Sequence, residues 1–259
     1  MSSSGRLSRS AGPRALVGHL GLLLAVGCSG DDASTPEGST GVSGEIVVFA
    51  AASLTEAFTV EHPSASVTFN FAASSELVAQ IVEGVPADVF ASADPANMDR
   101  LAEAGAAADE PVVVATNRSQ IIVAPGNPLG ITGVADLTDD ELVLVTCAPQ
   151  VPCGSYAAQI FENAGVAPTS DSYEESVKAV VTKVVLGEAD AGIAYATDVI
   201  AAGDDADGVE IPAAVNVVAE YPIAPTTEST NPIGGQAFVE FVLGAAGQVI
   251  LAEHGFSPS

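Results

Sequence analysis

The chain has 259 residues, of which 33 are acidic and only 7 are lysine or arginine, so its formal net charge at pH 7 is −26. This balance excludes nucleic acid as an expected partner, because binding a phosphate backbone needs a basic surface. Hydrophobic residues make up 48% of the chain, which is enough to build the core of one large domain or the cores of two lobes.

The amino-terminal 27 residues are predicted to be a signal peptide. Three arginines precede an apolar run at 15–26, which is too short to cross a bilayer and ends at Gly27-Cys28. A small residue before cysteine is typical of a lipoprotein signal, in which Cys28 becomes the lipidated first residue. A plain export signal that discards Cys28 stays open. Residues 28–44 are rich in Ser, Gly, Asp and Thr, and are predicted to form a flexible tether. We therefore expect an exported lipoprotein anchored to the outer face of the cell membrane.

Cys147 and Cys153 remain as a pair in this export pathway, six positions apart. Because exported proteins fold in an oxidising compartment, a disulfide that closes this short loop is the expected state. The alternative, a two-thiolate metal site, lacks nearby histidine ligands.

Short apolar strands alternate with helical patterns along the rest of the chain. Strands are predicted at 46–50, 67–71, 89–91, 121–124, 142–145 and 192–194. Helices are predicted at 75–83, 95–104, 155–163, 177–186 and 232–243. This alternation indicates an α/β fold, in lobes that each contain a mostly parallel sheet flanked by helices.

Two segments rich in turn residues, 125–128 and 221–225, are predicted crossing points between two lobes. Lobe 1 would then comprise residues 45–124 and 222–259. Lobe 2, residues 125–221, would be inserted between them.

Several predicted strands run into helices that begin with small residues. Residues 49–56 read FAAASLTE, in which Ser53 and Glu56 form the capping-box signature of a helix start. Residues 71–77 read FAASSEL, and similar turns occur at 151–155 and 175–178. Helix starts present unpaired N–H groups and attract anions, although each serine taken alone could simply cap its helix.

Five sequence segments occur in an order that resembles one known family. They are VFAAASLT at 48–55, FAASS at 71–75, PADVFASAD at 86–94, VPCG at 151–154 and GIAY at 192–195. Together they resemble the periplasmic molybdate-binding protein family over residues 45–256. The resemblance implies a two-lobed periplasmic-binding-protein fold of type II that closes on molybdate or tungstate.

The resemblance also implies which residues bind the oxyanion. From the first lobe, Ser53 and Ser74 would bind through their hydroxyls and backbone N–H groups. From the second, the loop position Cys153 and the helix-start position Val177 would offer backbone N–H groups, and Tyr195 its phenolic hydroxyl. The protein would be a monomer that binds this small inorganic oxyanion, needs no cofactor, uses no direct metal ligands and delivers its ligand to the permease of an ABC importer.

Two departures from the family stand out. The first helix is about two turns shorter than is usual, leaving a stub at 54–60 that is marginal on its own. Cys153 replaces an expected alanine, which is compatible with binding if only its N–H is used.

Three other functions are weaker alternatives. A hydrolase would need a nucleophile with a base, but the exported part contains only His62 and His254, and no nucleophile elbow, so no enzyme activity is predicted. The acidic runs at 139–141 and 204–207 lack a calcium-loop pattern. A binder of sulfate or phosphate on the same fold is the closest alternative.

Overall fold

The computed structural model describes residues 44–59 and 65–259. The predicted signal peptide, the lipidation site Cys28 and the tether up to residue 43 lie outside these ranges. The described strands are β1 Gly44–Ala51, β2 Ala65–Ala72, β3 Val89–Ala91, β4 Val112–Val123, β5 Leu144–Cys147, β6 Ser172–Glu174, β7 Ala191–Tyr195, β8 Asp207–Glu210 and β9 Val218–Pro225. The described α-helices are α1 Thr55–Phe58, α2 Ser74–Val82, α3 Pro95–Glu103, α4 Pro152–Ala164, α5 Val177–Val185, α6 Ala196–Ala202, α7 Pro232–Leu243 and α8 Ala245–Glu253.

The strands pair in the order β2-β1-β3-β9-β4-β7-β5-β6, and β8 also pairs with β4. The outer pairs, β1 with β2 and β3, and β5 with β6 and β7, are parallel. The pairings of β9 and β4 are antiparallel. The long strand β4 joins the two halves of this sheet. Its residues 112–118 pair with β9, and its residues 119–123 pair with β7 and β8.

Every predicted strand and helix overlaps a described element, with shifts of one to three residues at most ends. The strand predicted at 121–124 is the exception, because β4 begins nine residues earlier, at Val112. The predicted turn at 221–225 is wrong, because these residues form the carboxyl half of β9, between β3 and β4. Proline has no N–H and is unusual inside a sheet. Pro222 faces Val113, next to the place where the register of β4 shifts, and Pro225 ends the strand. The lobe boundaries at 124/125 and 221/222 stay predictions.

Packing holds the short α1 in place. A 3₁₀ turn, Ala52–Leu54, leads into α1, and both Leu54 and Phe58 are buried. The Phe58 ring lies edge-on to Phe238 of α7, with 5.6 Å between ring centroids, and 6.1 Å from Phe69 of β2. Burial of one aromatic or leucine side chain contributes about 1.5–3 kcal/mol. Tertiary contacts therefore stabilise a helix that is too short to persist by itself.

The carboxyl-terminal helices α7 and α8 are bent by 61° relative to each other at Gly244. Within residues 44–59 and 65–259, no single helix is long and apolar enough to cross a membrane. Taken together, α7 and α8 reach that length and apolar composition, but they are bent. Both helices bury residues in the core, including Phe238 and Leu251.

Candidate functional site

One small cavity is lined by all five residues that the sequence predicted to bind the anion. Those residues are Ser53, Ser74, Cys153, Val177 and Tyr195. The other described residues of its wall are small and uncharged, namely Ala51, Ala52, Ala72, Ala73, Ala93, Pro152 and Ser176. The cavity lies beyond the carboxyl ends of β1, β2 and β7, the edge at which α/β sheets commonly bind ligands.

The first of these residues, Ser53, lies inside the 3₁₀ turn before α1. The predicted capping box is wrong, since Leu54 occupies the N-cap position of α1 and no side chain caps it. Because Ser53 lies in the 3₁₀ turn Ala52–Leu54, it precedes the N-cap position of α1 and does not cap that helix. Its Oγ lies instead 2.8 Å from the Oη of Tyr221 in β9, and both residues are buried.

Ser74 begins α2, one residue earlier than the sequence predicted, and does not cap it. Its Oγ accepts a hydrogen bond from the backbone N–H of Ala93 at 3.0 Å. The hydroxyl proton of Ser74 therefore remains available to a ligand. Its backbone N–H is also available, because the first N–H groups of a helix have no partner within that helix.

Backbone N–H groups come from the starts of two further helices. Val177 is the first residue of α5, as predicted. Cys153 is the second residue of α4, so the predicted loop position is wrong: the helix begins at Pro152, whose fixed φ favours the first helical position. The first turns of both helices direct N–H groups and the positive end of the helix dipole outward, which favours an anion.

A disulfide joins Cys147, the last residue of β5, to Cys153 in the first turn of α4. The adjoining Gly154 lies so close to the preceding loop that a Cβ there would be 2.0 Å from the carbonyl oxygen of Ala148. Any larger residue would push α4 away from the loop. The covalent link and the close approach together fix the position of the Cys153 N–H.

Tyr195, at the end of β7, is buried, yet its Oη makes no hydrogen bond to any residue of the described ranges. Burial raises the pKa of this phenol well above its ordinary value, and the neighbouring Tyr221 and Tyr156 raise it further. The phenol therefore keeps its proton and can act as a donor. An unpaired buried hydroxyl costs about 1–3 kcal/mol, which an oxygen atom of a ligand in the cavity would recover.

Among the described residues, the charged ones lie next to the cavity rather than in its wall. The Nζ of Lys178, which follows Val177, lies 2.7 Å from Glu56 Oε2 and 3.0 Å from Asp198 Oδ1. The other Asp198 oxygen accepts the backbone N–H of Tyr195 at 3.3 Å. Within the described chain, no three His, Cys, Asp or Glu side chains are grouped as they would be around a metal ion.

Sequence reasoning missed Tyr221, Lys178 and Asp198 as neighbours of the site. Tyr221 is 168 residues from Ser53 along the chain, and no local pattern links the two. The GIAY segment predicted Tyr195, but it gave no signal for the role of Asp198 three residues later.

A sequence profile described as bacterial extracellular solute-binding protein matches residues 42–257. The chain belongs to this family. The molybdate-binding protein ModA of Mycobacterium tuberculosis is 43% identical to this solute-binding protein over 242 residues, which cover 91% of this chain and 92% of that protein. The resemblance to molybdate-binding proteins is thus confirmed. The family is described as extracellular and solute-binding, in agreement with the predicted export and the predicted binding role.

Solved structures of two binding proteins share the fold of this family member. The periplasmic molybdate-binding protein of Azotobacter vinelandii has a TM-score of 0.68 at 19% identity, over 83% of this chain and 99% of that one. The sulfate-binding protein SubI of Mycobacterium tuberculosis has a TM-score of 0.70 at 21% identity, over 83% and 86%. The predicted α/β, two-lobed periplasmic-binding-protein fold of type II is confirmed. Since the two neighbours are named for different anions, the fold does not choose the ligand.

Proposed function

We propose that this protein captures molybdate, or the similar ion tungstate, outside the cytoplasmic membrane and delivers it to an ABC importer. The observation that carries this proposal is that Ser53, Ser74, Cys153, Val177 and Tyr195 line one small uncharged cavity. These residues lie far apart in the sequence and were selected by their resemblance to molybdate-binding proteins. The 43% identity to a protein named for molybdate supports the same ligand.

Neutral donors can hold a doubly charged anion. The donors would be the hydroxyls of Ser53, Ser74 and Tyr195 and the backbone N–H groups at the helix starts. Each hydrogen bond to a charged partner contributes about 1.5–3 kcal/mol. Six or seven such bonds would offset the loss of the anion's water shell. The acidic surface opposes this only weakly, because charges beyond a Debye length of about 8 Å are largely screened at physiological salt.

Binding would close the two lobes around the anion. Ser53 and Ser74 follow β1 and β2, whereas Cys153, Val177 and Tyr195 belong to elements around β5 and β7. A single anion can form hydrogen bonds with the donors of both lobes only when the lobes are closed, so its binding favours the closed arrangement. We place the hinge where β4 passes from pairing with β9 to pairing with β7 and β8, between residues 118 and 119. This point lies six residues before the lobe boundary predicted at 124/125, so the pairing of β4 moves residues 119–123 to the second lobe.

The alternative ligands, sulfate and phosphate, are not favoured. A cavity with fixed donors discriminates by size, so a larger tetrahedral ion would reach donors that sulfate leaves unused. Phosphate retains a proton at neutral pH, and this proton would face a donor instead of an acceptor.

A thermal-shift panel of molybdate, tungstate, sulfate and phosphate tests the ligand. At a hundredfold excess over its Kd, a ligand stabilises the folded state by about 2.7 kcal/mol, a readily measured shift. Molybdate and tungstate should raise the Tm, while sulfate and phosphate at the same concentration should not. A shift with sulfate as large as that with molybdate would refute the proposed selectivity.

We further propose that the mature chain is a monomer held at the membrane by lipid on Cys28, from which it reaches the importer's permease. Mass spectrometry of the membrane-extracted protein should find the chain beginning at a diacylated Cys28. Cys28→Ala should release the protein from the membrane fraction. A wild-type protein that begins beyond residue 28 and is recovered without lipid would contradict the anchor.

A further inference from the structure

The hydroxyls of Ser53 and Tyr221 lie 2.8 Å apart beneath the cavity, and both side chains are buried. We infer that Tyr221 is a positioning residue, which makes the Ser53 hydroxyl an obligatory hydrogen-bond donor to the anion and thereby disfavours protonated oxyanions. This inference rests on the proposed function, because it concerns the same cavity. Tyr221 itself does not line the cavity, so it would act only through Ser53.

Asn117 in β4 decides which of the two hydroxyls donates. The backbone N–H of Arg118 donates to Asn117 Oδ1 at 2.9 Å, which fixes the orientation of the side-chain amide. Asn117 Nδ2 then donates to Thr197 Oγ1 at 2.8 Å and lies 3.5 Å from Tyr221 Oη. Because the Nδ2 group carries only protons, Tyr221 Oη can only accept on that side. Its single proton is therefore directed to Ser53 Oγ.

Ser53 Oγ, having accepted this proton, has its own proton free for the cavity. Burial raises the pKa of Tyr221 far above its ordinary value, so its phenol does not ionise and the direction of the hydrogen bonds is kept. The order of donation is thus from Asn117 to Tyr221, from Tyr221 to Ser53, and from Ser53 to the ligand.

Ser74 is arranged in the same way by a different group. Its Oγ accepts the N–H of Ala93 at 3.0 Å, so its proton is also left for the cavity. Both serine hydroxyls therefore accept a hydrogen bond from the protein and donate one into the cavity. A fully deprotonated oxyanion can accept a bond from every donor of the cavity. A monohydrogen oxyanion can also accept both serine bonds, but its own O–H then needs an acceptor, and neither serine oxygen is left to accept it. Fixing the two hydroxyls as donors therefore disfavours a protonated oxyanion, independently of the size of the cavity.

The network is held by the two long strands of the sheet. Asn117 lies in the part of β4 that pairs with β9, the strand that carries Tyr221. Thr197 lies in α6, directly after Tyr195 and β7. The direction of the Ser53 hydroxyl is therefore set by elements on both sides of the point where β4 changes partners.

Isothermal titration of four proteins tests the inference: wild type, Tyr221→Phe, Ser53→Ala and the double variant. Titrations with molybdate and with inorganic phosphate at neutral pH give the two affinities. Tyr221→Phe should weaken molybdate binding about tenfold and phosphate binding less, since Ser53 regains an acceptor position. In the Ser53→Ala background, the same substitution should change molybdate affinity less than twofold.

Thr197→Val is the matched control, because it removes a hydroxyl from the same network but leaves Asn117 pointing at Tyr221. It should change molybdate affinity less than twofold, and thermal melts without ligand should show that Tyr221→Phe remains folded. Equal losses from Tyr221→Phe with and without Ser53, or no loss in either, would overturn the inference while leaving the proposed function intact. A wild-type protein that does not bind molybdate would overturn the proposed function and, with it, this inference.

Discussion

The Lys178 ammonium group lies 2.7 Å from the carboxylate of Glu56, joining the start of α5 to α1 beside the cavity. The same ammonium group lies 3.0 Å from Asp198, whose side chain is fully buried. Burial lowers the pKa of Lys178, but Asp198 and Glu56 outweigh burial and raise it, so the group stays charged. One cation thus lies between two carboxyl groups that would otherwise repel an anion. Burial raises the pKa of Asp198, while the Lys178 charge opposes that rise.

Removing this cation should destabilise the protein far more than removing its exposed partner. Lys178→Met leaves Asp198 buried without a counter-charge, and we expect a loss of about 3 kcal/mol in the free energy of unfolding. Glu56→Gln should lose less than about 1 kcal/mol, because Glu56 is partly exposed. Urea denaturation measures both losses. Adding Asp198→Asn to Lys178→Met should recover at least half of the larger loss, and equal losses for the two single variants would contradict this account.

The unpaired hydroxyl of Tyr195 should matter for the ligand and not for folding. Tyr195→Phe removes a buried polar atom that has no partner among the described residues, so the Tm without ligand should stay the same or rise. Molybdate affinity should fall about tenfold or more, because a bond to a charged ligand is lost. Titration calorimetry and thermal melts on the same samples separate the two effects. Unchanged molybdate affinity would remove Tyr195 from the proposed donor set.

The disulfide should contribute to both stability and binding. For a loop of this length, the chain-entropy relation gives about 2 kcal/mol of stabilisation. A Cys147→Ser, Cys153→Ser double variant should lose about this much in urea denaturation. It should also bind molybdate severalfold more weakly, since the Cys153 N–H would no longer be held by the covalent link. If the variant loses stability but binds molybdate as tightly as the wild type, the disulfide has no part in positioning the Cys153 N–H.

Acid should weaken the protein through Asp88. Its Oδ2 accepts the N–H of Val47 at 2.7 Å, and its Oδ1 accepts bonds from Ser229 and Asn231 at 2.6 and 2.8 Å. Burial alone would raise the pKa of Asp88, but these hydrogen bonds outweigh it and hold the pKa below its ordinary value of 3.8. The resulting stability is fully present above pH 3.8 and is lost as the pH falls through the lower, folded-state value.

Asp88→Asn should therefore destabilise the protein by about 2 kcal/mol at neutral pH, and by progressively less below pH 3.8. Urea denaturation at several pH values between 7 and 2 measures this difference. A difference that stays constant down to the lowest pH would show that the charge of Asp88 is not what stabilises the contact between β1 and the start of α7.

The sequence predicted the periodic parts of the fold and the local parts of the site. The apolar strand β3 and the helix α7 have the predicted bounds, because local signals mark both ends of each. The strand is an apolar run between Asp88 and Ser92, and the helix begins at Asn231-Pro232 and ends at Gly244. Ser53, Ser74, Cys153, Val177 and Tyr195 were found through short motifs. Their positions relative to one another depend on the strand order, which motifs do not contain.

The errors arose where distant contacts override local preferences. The two prolines of β9 indicate a turn, but its pairing with β3 and β4 makes the segment a strand. The spacing of Ser53 and Glu56 indicates a capping box. In the structure, the Ser53 hydroxyl instead forms a hydrogen bond with Tyr221, and the Glu56 carboxylate accepts one from Lys178. Both partners lie more than 100 residues away along the chain, beyond the reach of a local pattern.

Native mass spectrometry of the purified protein in molybdate tests the central claim most directly. We predict one molybdate per chain in the wild type, retained in a tenfold excess of sulfate and lost in a Ser53→Ala, Ser74→Ala double variant that still folds. A wild-type chain that takes up no molybdate, or a double variant that retains it as tightly as the wild type, would contradict the proposal that these donors form the anion site.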